Sequence, residues 1–116
     1  MKITLAVCVS FVAALAFADG PKNLQVLPKN MPKEQVKQTM KQLSKDLGVE
    51  CDFCHDVPDM AADTNKMKTV ARQMMRMQMD INDKWMKGIG KEGDKKKVVT
   101  CGTCHRGKEE PPPFGG

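Results

Sequence analysis

The chain has 116 residues, with 19 Lys and Arg against 14 Asp and Glu for a formal net charge of +5, and only four Phe, one Trp and no Tyr. That length holds one domain, and the lack of a basic motif interleaved with aromatics argues against a nucleic-acid-binding surface despite the positive charge. From Asp19 onward, 15 of the 98 residues are Leu, Ile, Val or Phe and 32 are charged, too little apolar material for a chain of this size to build a core alone.

Lys2, the apolar run 3–17 and the Ala16-Phe17-Ala18 triplet read as a secretory signal peptide, cleaved after residue 18. The apolar run is shorter than the roughly 20 residues that span a bilayer. Cys8 lies inside it and follows Val7, where a lipoprotein signal requires a small residue, so it goes with the discarded peptide. The expected mature domain is 19–116, with an irregular arm at 19–29, a Pro-rich tail at 107–116 and no transmembrane anchor. Its expected location is the periplasm or another extracytoplasmic space.

After the arm, Asn30 is placed to cap a helix with Pro32 in its first turn. Val36, Met40, Leu43 and Leu47 recur at helical spacing, and Gly48 is placed to end the helix. A short loop containing Pro58 follows, and Asp63 can cap a longer helix running to about Lys87. Its main stripe is Met67, Val70, Met74, Met77, Ile81 and Trp85, with Met75, Met79 and Met86 on a second stripe. Gly88 stops it, and a polar loop with the solvated run Lys95-Lys96-Lys97 leads to Val98-Val99-Thr100. No strand is required. The expected fold is all-α, two helix-then-motif units repeating at about 50 residues.

The motifs carry the chemistry. Cys51-Asp52-Phe53-Cys54-His55 and Cys101-Gly102-Thr103-Cys104-His105 are both Cys-x-x-Cys-His. In this pattern two thiols three positions apart form thioethers to the two vinyl groups of a haem, and the adjacent histidine reaches the iron. Four cysteines could also make a zinc site or disulfides. Zinc, however, does not require a histidine after each pair, and a thioredoxin-like pair wants a βαβ setting. All cysteines of the mature chain fall in the two motifs, an export signal precedes them, and a core is wanting. These agree on two haem c groups. Their propionates would offset most of the net positive charge, and Arg106, directly after the second motif, is placed to contact one. Arg72, Arg76, Lys84 and Lys87 read mainly as solvated helix charges.

The chain has two histidines, both used in the motifs, and nine methionines besides the initiator. The second axial position on each iron is therefore Met, Lys or open. Met40 and Met74, each central on the apolar face of the helix before its motif, are the leading candidates. Met31 at the first haem, and Met67 or Met77 at the second, stay open on composition alone, since thioethers also serve as core fillers.

The sequence resembles the haem-binding repeats of the cytochrome subunit of photosynthetic reaction centres over roughly Asn23 to Pro113. The resemblance is carried by Asn23-Leu24-Gln25-Val26-Leu27, the Met40 helix, Leu47-Gly48-Val49, Ala71-Arg72-Gln73-Met74, Ile81-Asn82, Trp85 and Val99-Thr100-Cys101-Gly102-Thr103-Cys104-His105-Arg106-Gly107. It implies that Met40 and Met74 are the sixth ligands of the two irons. The family has a histidine shortly after the Trp, which serves a haem in a second half of the subunit; here Gly88 stands in its place.

These features lead us to expect an electron carrier rather than an enzyme, because His/Met ligation fills both axial positions and Met raises the potential relative to His/His. The expected partners are redox proteins, with peripheral association to a membrane complex among the arrangements open to it. The competing function is a gas-binding or redox protein with one open iron site.

Overall fold

The computed structural model describes residues 20–90 and 97–113. The signal peptide read over 1–18 and the first two lysines of the Lys95-Lys96-Lys97 run lie outside the described residues. Three helices, α1 (Lys33–Leu47), α2 (Lys66–Asp80) and α3 (Cys101–His105), are joined by turns and loops, with no strand among the described residues. The fold is all-α.

The cap of helix α1 falls two residues later than the expected Asn30. Pro32 is the N-cap, at φ −59° and ψ 143°, and its carbonyl accepts the first helical bond from Val36 N–H at 3.1 Å. A proline also pushes the residue before it towards extended backbone, which delays the helix. Glu34 in the first turn and Lys45 in the last suit the helix dipole. Gly48 ends the helix in the left-handed conformation, φ 65°.

Helix α2 is capped by Asn65, whose side chain accepts from Met67 N–H at 2.9 Å. Asp63, the residue expected there, instead pairs with two cations of the helix, Lys68 and Arg72. The extent expected to about Lys87 holds, but the last turns are not α-helical. Ile81–Trp85 widens into a π-helical turn and Met86–Gly88 tightens into a 3₁₀ turn. In the π turn, Asn82 accepts from Val99 N–H (2.7 Å) and donates to Val99 O (2.9 Å).

Helix α3 is the second motif itself, opened by a capping box between Thr100 and Thr103 and closed by Arg106 at φ 52°. The end of α1 packs against it: Gly107 N–H donates to Asp46 O at 2.8 Å. A Cβ on Gly48 would lie 2.2 Å from Gly107 O, so only glycine lets these two backbones meet.

Candidate haem-binding site

Each motif is folded into a short helical segment. Cys51–Phe53 forms a 3₁₀ turn, in which Cys51 O accepts from both Cys54 N–H and His55 N–H. The second motif is the one-and-a-half-turn helix α3. Residues three and four apart share a side of such a helical segment, the spacing that attachment of two thiols and a histidine to one porphyrin requires.

The histidines are held alike. His55 Nδ1 lies 2.9 Å from Met60 O, and His105 Nδ1 lies 3.0 Å from Lys108 O and 2.9 Å from Glu109 O. A carbonyl can only accept, so Nδ1 is the donor in both rings, which in the neutral imidazole leaves the lone pair on Nε2. That is the tautomer and anchoring of an imidazole that serves a metal through Nε2. His105 is buried, 9% exposed, and His55 half-buried.

None of the four motif cysteines is joined in a disulfide. Burial pushes the Cys54 thiol up; Cys101 is raised by burial first and then by the neighbouring Asp46 carboxylate. Cys51 and Cys104 are exposed. Among the described residues no three His, Cys, Asp or Glu side chains converge as a metal cage would need.

The candidate distal methionines lie mid-helix, Met40 half-buried on α1 and Met74 exposed on α2. Of the rivals, Met31 and Met67 are half-buried and Met77 is exposed. The exposure pattern of α2 reverses what an amphipathic helix normally shows. Its more protected face carries Lys68, Ala71, Arg72, Met75 and Gln78, held largely by hydrogen bonds and ion pairs. Much of its apolar stripe stands out instead, with Val70 at 42%, Met74 at 37%, Met77 at 49% and, beyond the helix, Trp85 at 71% exposure, while Met67 and Ile81 are half-buried. No hydrophobic side chain is buried among the described residues. A stripe of thioethers and one indole facing away from the chain's own contacts has the chemistry to cover a flat apolar ring. The residues present therefore fit haem c.

Helix α2 links the motifs. At its start Asn65 Nδ2 donates to Asp52 O and Phe53 O of the first motif (3.4 and 3.2 Å). Near its end Gln78 Nε2 donates to Val99 O at 2.9 Å, and Cys101 Sγ lies 3.9 Å from Gln78 Oε1. Thirteen residues at a helical rise of 1.5 Å set these two contacts roughly 20 Å apart. An open groove lined by Pro21, Asn23, Leu24, Gln25, Lys29 and Arg76 contains no cysteine or histidine and lies outside this constellation.

Several of these residues were missed by the sequence reading. Asn65, Gln78 and Lys68 act through contacts across loops, which periodicity does not report. Arg72, expected among the solvated charges, is only 13% exposed along its side chain and bonds Asp63 and Asn23 O. Arg106 donates weakly to Pro112 O at 3.4 Å.

Cys-x-x-Cys-His turns with carbonyl-anchored imidazoles, on an all-helical frame, are the marks of a c-type cytochrome. Within that class the chain belongs to the photosynthetic reaction centre cytochrome c subunit family, whose sequence profile matches residues 14–113. It is 36% identical over 61 residues to the photosynthetic reaction center cytochrome c subunit of Rubrivivax gelatinosus, covering 53% of this chain and 15% of that protein. It is 35% identical over 60 residues to cytochrome c-554 of Chloroflexus aurantiacus, covering 51% of this chain and 14% of that protein. The corresponding subunit of Thermochromatium tepidum is 34% identical over 61 residues, covering 53% and 14%. The chain thus spans only about 15% of the length of the relatives it matches. All three relatives are named as cytochromes c, two of them as photosynthetic reaction center subunits.

Proposed function

We propose that this chain is an extracytoplasmic electron carrier holding two haem c groups, each with His/Met ligation. Cys51 and Cys54 attach the first haem and Cys101 and Cys104 the second. His55 and His105 supply the proximal nitrogens, and Met40 and Met74 the distal sulfurs. The observation that carries the reading is the shared anchoring of the two imidazoles, each donating Nδ1–H to a backbone carbonyl beside its own cysteine pair. With both axial positions filled, the iron has no place for a substrate, and the bound group supplies one-electron chemistry. The functional domain is 19–116, released by cleavage after residue 18. Its partners are redox proteins, met through a small and brief interface. Two relatives are named as reaction-centre subunits, which supports a redox complex of that kind as one such partner. No described helix is long and apolar enough to cross a membrane.

Intact-mass and pyridine haemochrome measurements on the exported protein should give two covalent haems per chain and no thiol open to alkylation. Optical and EPR spectra of the oxidised protein should show Met-to-iron charge transfer, and Met40→Ala and Met74→Ala should each remove one haem's share. Spectra unchanged by both substitutions would refute the distal assignment. Tight carbon monoxide binding by the native reduced protein would instead place an open iron site in it.

A further inference from the structure

Lys68 is the most buried residue described, at 8% exposure, yet the redox chemistry so far leaves it without a task. Its ammonium has three protons and three acceptors: Met60 O at 3.0 Å, Ala62 O at 2.6 Å and Asp63 Oδ1 at 3.2 Å. The first of these is the carbonyl that takes the proton of His55 Nδ1, at 2.9 Å. One oxygen therefore joins a buried cation to the imidazole proposed as the first haem's proximal ligand. Arg72 shares Asp63 Oδ1 at 3.0 Å, while the nearby Asp59 carboxylate accepts from Ala61 N–H at 3.2 Å, so Lys68 is the cation that bonds the carbonyl itself. The second motif is built differently. His105 Nδ1 meets the carbonyls of Lys108 and Glu109, and among the described residues no side-chain cation bonds to either oxygen.

We propose that Lys68 is a positioning residue that raises the reduction potential of the haem at Cys51-Cys54-His55 by occupying the carbonyl that anchors His55. The inference rests on the proposed assignment of His55 as a proximal ligand. Reduction adds one electron, supplied by the partner protein, and breaks no bond, so the potential reports only how the surroundings rank the two charge states of the iron. A strong acceptor at Nδ1–H pushes electron density into the ring and favours the ferric state. When Lys68 donates to the same oxygen, that acceptor weakens and the ring becomes a poorer donor. The field of the cation acts in the same direction, favouring the less positive ferrous state, and burial limits its screening. The effect through the Met60 carbonyl reaches the first haem alone, and the field is strongest there.

The test is a spectroelectrochemical titration of the full dihaem protein as wild type, Lys68→Arg, Lys68→Gln and Lys68→Met. In Lys68→Met one of the two waves should move down while the other stays. The expected change in its reduction equilibrium is about tenfold, the low end of what outer partners of a metal ligand carry, or about 59 mV for one electron. Lys68→Gln, which keeps donors but not the charge, should fall between, and Lys68→Arg should stay near wild type. In the reduced protein the His55 Nδ1–H proton resonance, assigned through its proximity to Met60, should shift downfield in Lys68→Met while that of His105 stays. Waves that overlay those of wild type would overturn the proposal. So would both waves falling together, or Lys68→Arg behaving like Lys68→Met, since these report loosened packing. Should Lys68→Met not fold, the Arg and Gln variants carry the same comparison. Haem stoichiometry and the Met-to-iron band, measured on wild type, fail only if the ligand assignment itself is wrong.

Discussion

Asp63 ties three stretches of chain together. Its carboxylate takes Lys68 and Arg72 from α2 and, at 3.4 Å, Gln25 Nε2 from the N-terminal arm. Arg72 reaches on to Asn23 O (3.2 Å), and Asn23 Nδ2 donates to Ala61 O (2.7 Å). Asn23 can play this part because asparagine tolerates the left-handed backbone it adopts, φ 64°. Hydrogen bonding from Asn23, then from Lys68 and Arg72, holds the Asp63 carboxyl down at about 2 against the usual 3.8. The folded value is the lower one, so the charged carboxylate stabilises the folded chain fully above about pH 4, where the unfolded group is also ionised. That contribution is lost as the pH falls from about 4 through 2. Asp63 is 44% exposed, so salt should weaken the effect. In amide hydrogen exchange, the arm at Asn23 to Gln25 and the loop at Ala61 should loosen over that acid window. Asp63→Asn should show the same loosening at neutral pH and lose the acid step. An Asp63→Asn protein with wild-type exchange and an unchanged acid profile would show that the carboxylate holds nothing.

Among the elements, the joint between α1 and the second motif has the least tolerance. Gly48 has a positive φ and no room for a side chain, whereas a Cβ on Gly102 would meet the Asp46 carboxylate at 2.8 Å, a group that can swing away. Gly48→Ala is therefore expected to cost about 1–3 kcal/mol in denaturant unfolding of the haem-loaded protein, with Gly102→Ala costing less. Equal, small losses for both would show that the backbones are free to part. The glycine stop of α1, the half-buried row Val36, Met40, Leu43 and Leu47, and the two motif turns were all legible in the sequence, because each is a local signal. The start of α1 was offset by a proline that caps from outside the helix. The cap of α2 passed from Asp63 to Asn65 because Asp63 found cations one and two turns along. The π turn had no signature at all; it accompanies Asn82 in clamping Val99, a contact across 17 residues. Periodicity found the apolar stripe of α2 but could not say that the chain's own contacts would take the other face.

At the scale of the whole molecule, the described residues are joined by directional contacts rather than by a shared apolar interior. The arm, the loop at 60–63 and α2 meet through the Asp63 network; α2 meets the second motif through Gln78 and Asn82; α1 meets it through backbone. Each such hydrogen bond contributes about 1 kcal/mol net, while ordering each residue costs about 1–2 kcal/mol of backbone entropy. Hydrogen bonds of this kind cannot hold the fold by themselves, so cooperative stability has to come from apolar area, and the exposed stripe of Val70, Met74, Met77 and Trp85 is where it is available. Under the proposed attachment, haems seated against that stripe and the face of α1 would make them the walls of a core. Without them the chain should behave as a set of weak helices, since 15-residue segments are marginal in water. Replacing Cys51, Cys54, Cys101 and Cys104 together with Ala should therefore give low helicity by circular dichroism and no cooperative calorimetric transition. Retention of a sharp transition would mean that the polypeptide makes its own core. The paired variants carry the argument further. Because α2 is bonded to the first motif at Asn65 and to the second at Gln78, removing either cysteine pair alone should lower the melting temperature of what remains around the other haem. Two independent transitions, each insensitive to loss of the other pair, would show instead that α2 separates two folding units rather than joining them.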